Sequence, residues 1–149
     1  MMLALLMTCQ LAFCQTPTDV FNQFKEKKGV EYNEIPKIML SLVTESMDDA
    51  ATKEMMNRLQ CMKMMSISNA NAETRANFIA AVKKLDGKYT KVNESSEDGE
   101  TIIIYIEGTA DDVKSMIMAD VAEESCDFIV LEGKLKASDL TTFSNMQGD

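Results

Sequence analysis

Six sulfur-bearing side chains, Met55, Met56, Cys61, Met62, Met64 and Met65, crowd eleven residues of the chain. Soft sulfur ligands are what copper(I) selects, so this segment is where a metal or redox chemistry would sit. Two observations weigh against it: the sequence holds no histidine, and no Met-x-x-Met pattern repeats. Methionine is also a flexible core filler, and in a strand Met62 and Met64 would share one face while Met65 takes the other. A sulfur-ligand copper or redox protein is therefore kept as the alternative reading, with no metal site and no cofactor assigned. Cys61 and Cys126 form a candidate disulfide in an oxidising compartment, although two small buried apolar residues would look the same in sequence. Neither is a plausible nucleophile, because the chain has no histidine to act as base.

Other chemistry fares no better. The carboxylate pairs Asp48-Asp49, Glu97-Asp98, Asp111-Asp112 and Glu123-Glu124 fall in polar stretches that read as solvated turns. The nearest approach to a calcium loop, "ESSEDGETIIIY", puts Gly99 sixth from Glu94, but its twelfth position is Tyr105, where a calcium loop needs glutamate. No Gly-x-Ser-x-Gly and no phosphate-binding loop occurs. No catalytic residue is assigned, and the sequence argues against an enzyme. With 15 basic and 24 acidic side chains the net charge is −9, which repels nucleic acid and anionic lipid surfaces.

The elements that would position any site begin after an apolar leader. Residues 1–14 lack charged side chains, and their apolar run is far shorter than the roughly 20 residues of a membrane-spanning helix. This reads as a secretory signal peptide, with Ala12 and Cys14 at the −3 and −1 positions and Gln15 as the new terminus. The usual basic residue ahead of the apolar run is missing. A lipobox, Leu11-Ala12-Phe13-Cys14 with Cys14 acylated, is the rival; Phe13 argues against it, since a small residue normally precedes the lipidated cysteine. The expectation is export to the periplasm or cell envelope as one domain over residues 15–149, with no transmembrane segment in the mature chain.

Along that domain, "TPTDVFNQFKEKKG" predicts a helix capped by Thr16, with Pro17 at its first position, Asp19 three residues after the cap and Gly29 at its end. A second helix follows "GVEYNE", with Pro36 in its first turn and Ile38, Met39, Leu42 and Val43 at helical spacing. Residues 44–54 read as a connection leading to a short helix near Met55–Leu59, and "CMKMMSIS" as a strand. Asn71 caps a helix with Phe78, Ile79, Val82 and Leu85 on one stripe, stopped by Gly87. "KYTKVN" and "TIIIYI" predict a hairpin around the polar "ESSEDGE", with Ile102, Ile104 and Ile106 opposite Ile103 and Tyr105. Residues 113–121 fit helix or strand equally. "DFIVLEGKL" is a strand apolar on both faces, and "SDLTTFSN" a short last helix capped by Ser138. The fold class is α+β, a mostly antiparallel sheet of about four to five strands with helices packed on it.

The segments "VFNQFKEKKGVEYNEIPKIML", "IIIYIEG" and "FIVLEGKLKASDLTTF" resemble the family catalogued as domain of unknown function 4252, small exported proteins found mainly in Bacteroidetes. The resemblance spans nearly all of the chain after residue 14 and includes no catalytic signature. It implies an exported α+β protein, tips residues 113–121 toward strand, and implies a link to envelope signalling through gene neighbourhoods holding extracytoplasmic sigma factors. The functional expectation is a non-catalytic binding or accessory protein of the bacterial envelope with an unknown protein partner. Because several strands are apolar on both faces, self-association through a sheet face or edge is a further expectation.

Overall fold

The computed structural model describes residues 16–145. Helix α1 (Pro17–Phe24) starts where the sequence places it: Thr16 and Asp19 form a reciprocal capping box, satisfying two N–H groups the first turn would otherwise leave open. It ends at Phe24 rather than running to Gly29. Gly29 instead holds a positive φ of 82° in the turn into β1 (Val30–Pro36), a strand not anticipated from sequence. Helices α2 (Lys37–Thr44) and α3 (Ala50–Arg58) follow, the latter capped by Asp49, whose carboxylate accepts the Thr52 N–H at 2.8 Å. Next come β2 (Leu59–Ser68) and α4 (Ala72–Lys83), which Asn71 caps through the Thr74 N–H at 2.8 Å.

The second half is a meander of β3 (Thr90–Glu97), β4 (Glu100–Thr109), β5 (Asp112–Val121) and β6 (Ser125–Leu135), closed by α5 (Asp139–Asn145). The expected seven-residue polar turn between β3 and β4 shrinks to Asp98-Gly99, both at positive φ, with Glu97 paired to Glu100. A two-residue turn of that hand matches the strand twist, so "ESSE" stays in the ladder. Residues 113–121 are strand, the alternative the family resemblance favours. At the start of α5, Asp139 accepts the Lys136 N–H at 2.8 Å.

All six strands join one antiparallel sheet in the order β1-β2-β6-β5-β4-β3, against the four to five anticipated; β1 is the strand the sequence reading lacked. Helices lie on both faces. One layer seats Phe21 and Phe24 of α1 and Phe78 of α4 against Phe128, Tyr105, Ile117 and Met65, with Phe21 and Phe128 ring centres 5.0 Å apart. The opposite layer seats Leu40 of α2, Met55 and Met56 of α3 and Phe143 of α5 against Met62, Ile104, Met116 and Leu131. The double coverage explains why β4, β5 and β6 are apolar on alternate and intervening residues alike.

Candidate interaction surface

Helix α2 begins at Pro36, whose extended conformation (φ −73°, ψ 166°) sets up the first turn; no side chain caps it. Its eight residues, KIMLSLVT, are apolar on nearly every side, and only one side is covered. Leu40 and Thr44 point into the core, where the Thr44 hydroxyl donates to the Leu40 carbonyl at 2.6 Å. The stripe read at helical spacing faces solvent: Ile38 is 73% exposed, Met39 51%, Leu42 63% and Val43 48%. Helical residues at i, i+1, i+4 and i+5 form one continuous face, so these four side chains make a single patch. An all-round apolar helix is ordinarily buried all round, and exposed contiguous apolar area marks interaction sites.

Strands β1, β2 and β6 also line a cavity of about 310 Å³, whose lining includes Glu31, Asn33, Met64, Ser66, Asp127 and Ile129. Cross-strand pairing aligns Glu31, Ser66, Asp127, Asp120 and Ile102 in one row across five strands. Burial, with the Glu100 and Asp127 carboxylates as neighbours, pushes the Asp120 carboxyl up to about 7. Its Oδ1 is buried with no protein partner. Among the described residues no three His, Cys, Asp or Glu side chains gather as a metal site.

The sequence-derived candidates separate in space. Cys61 and Cys126 are free thiols. Cys61 pairs with Glu132 and Cys126 with Ile67, six residues further along β2, or about 20 Å at strand rise. A disulfide needs Cα atoms roughly 4.4–6.8 Å apart, so the anticipated bond is not made. Cys61 is half-buried, its thiol donating to Glu34 Oε1 at 3.7 Å; burial and the Glu34 and Glu132 charges push its pKa up. Burial pushes Cys126 up to about 11. Of the methionines, Met55, Met56 and Met62 lie in one core layer and Met65 in the other, while Met64 is partly exposed. The sulfur cluster of the sequence is thus divided by the sheet. Residues 94–105, the nearest calcium-loop pattern, are the β3–β4 hairpin. Ala12, Cys14 and Gln15 lie outside the described residues.

Sequence reasoning identified the residues of the α2 patch by their helical spacing but gave the stripe no direction. The usable signal was the helix itself: five apolar positions in eight leave too little polar surface to separate an inner stripe from an outer one. Among the described residues no helix is long and apolar enough to cross a membrane. Neither a curated protein nor a solved structure matches the chain. One family model does, over residues 24–143, and its description is Domain of unknown function (DUF4252).

Proposed function

The chain belongs to the DUF4252 family, and from that premise we propose that it is an exported, non-catalytic binding or accessory protein of the bacterial cell envelope. It meets a protein partner through the outward face of α2. The observation that carries this reading is the distribution of exposed apolar side chains. Of the six large ones on the described surface, Ile38, Met39, Leu42 and Val43 sit on one eight-residue helix. Scattered apolar residues need no explanation, whereas a patch concentrated on one helix face does. Export is supported by the signal-like residues 1–14, and the non-catalytic reading by a sequence without histidine or a nucleophile motif. The link to envelope signalling rests on the family resemblance.

The test is site-specific photo-cross-linking in the native host, with the reactive side chain at Leu42 or, as control, at the exposed Glu73 on α4. The expected result is a discrete adduct from position 42 alone, in the envelope fraction, on a chain beginning at Gln15. A cytoplasmic chain retaining residues 1–14 overturns export. Equal labelling from both positions overturns α2 as the contact face.

A further inference from the structure

Resting on the reading of α2 as a partner-binding face, we infer that its occupant is a second copy of this chain, packed with the two α2 helices antiparallel about a twofold axis. The patch is symmetric along the helix: Ile38 and Met39 precede its centre and Leu42 and Val43 follow it, with that centre between Leu40 and Ser41. A twofold axis crossing there sets Ile38 level with Val43 of the other copy, and Met39 level with Leu42. Each apolar side chain thereby meets another, which is what an isologous interface requires.

Charge is arranged to suit the same pairing. The N-terminus of α2 has no side-chain cap hydrogen bond, so no capping side chain satisfies its first-turn N–H groups at the positive end of the helix dipole. Glu45, the exposed residue at the C-terminal end, falls level with Pro36 of the other copy in this register. Two Glu45 carboxylates therefore approach two open helix N-termini, one at each end of the interface. Within residues 37–44 the only charged side chain is Lys37, in a chain of 24 acids, so the contact avoids the like-charge repulsion that a net charge of −9 would impose elsewhere.

Size bounds the strength. An eight-residue helix is about 12 Å long, and a standard interface buries about 800 Å² per partner. The helix pair covers less than that, so the dimer is weak and forms with rising concentration.

Sedimentation velocity on protein purified from its host, across concentrations reaching the millimolar regime, tests the pairing. Expected is a monomer–dimer equilibrium that Leu42→Asp weakens by about a hundredfold, because dimerisation would bury two unpaired charges. Glu45→Gln should weaken it by a factor of about two to five for each helix end. Position 42 is exposed, so an unchanged melting temperature shows that the aspartate variant still folds. Orientation is read by mixing Ile38→Cys and Val43→Cys proteins under mild oxidation and mapping the linked peptides by mass spectrometry. The antiparallel register predicts mainly 38–43 links, since like positions are offset by about 7.5 Å along the axis. A dimer that survives Leu42→Asp, or mainly 38–38 and 43–43 links, overturns the arrangement. A chain monomeric at every concentration overturns self-pairing altogether. The broader reading then stands or falls separately, on whether position 42 cross-links to a different protein in the host.

Discussion

Arg58 at the end of α3 and Asp139 at the start of α5 meet in a two-pronged ion pair, both contacts 2.8 Å, and Arg58 also donates to the Lys134 carbonyl at 2.8 Å. The guanidinium holds the Asp139 carboxyl below its usual 3.8. A depressed folded-state pKa stabilises above the unfolded value and is lost as pH falls through the folded one, so this contribution is complete above pH 3.8 and disappears only in stronger acid. Asp139→Asn should cost about 2 kcal/mol in urea unfolding at pH 7, because Arg58 stays half-buried without its anion. Asp120 has the opposite sign. Its folded-state pKa, raised to about 7, gives a contribution that is full below 3.8 and lost as pH rises through 7. Asp120→Asn should therefore flatten the fall in stability between pH 4 and 7 and stabilise the protein at pH 8 by on the order of 1 kcal/mol, after discounting for solvent screening. The thiols differ in the same way that burial differs: maleimide should modify Cys61 slowly in the native protein and reach Cys126 only after unfolding. Caps such as Thr16 and Asn71 were legible in sequence because donor and acceptor lie three residues apart. The Arg58–Asp139 pair spans 81 positions, and no local pattern announces it.

At the scale of elements, α2 separates two substitutions that look alike in sequence. Leu40→Ala should cost about 2–4 kcal/mol, since Leu40 fills the core. Leu42→Ala should change thermal stability by less than about 0.5 kcal/mol, since Leu42 is 63% exposed. Periodicity placed a helix there correctly and could not orient it, because both candidate faces are apolar. It passed over β1 for a related reason: in VEYNEIP only Val30, Tyr32 and Ile35 are apolar, too few to show an alternation, and Pro36 suggested a helix start. The later strands were plain, since TIIIYI and DFIVLEGKL are apolar on both faces. Gly133, within the strand read as DFIVLEGKL, lies in β6 opposite Leu59, at the start of β2. A Cβ there would come within 2.4 Å of the Arg58 carbonyl oxygen and 2.8 Å of the Leu59 Cα. Gly133→Ala should cost about 1–3 kcal/mol, read as a lower urea midpoint.

For the whole molecule, the α+β class and the antiparallel sheet followed from local apolar patterns, but the strand order could not, because periodicity carries no information about which strands become neighbours. The order has its own consequence. β3 to β6 pair with their sequence neighbours, whereas β2 finds its second partner only in β6, the last strand of the chain. A ribosome releases the N-terminal half first, at about 5–20 residues per second, so β2 emerges several seconds before the strand that pairs with its second edge. In that interval β2 has only β1 beside it, across the α2–α3 connection, and a two-stranded sheet is marginally stable alone, while β3, β4 and β5 can already pair with one another. The two halves of the sheet are thus joined last, along the β2–β6 seam, once β6 has been made.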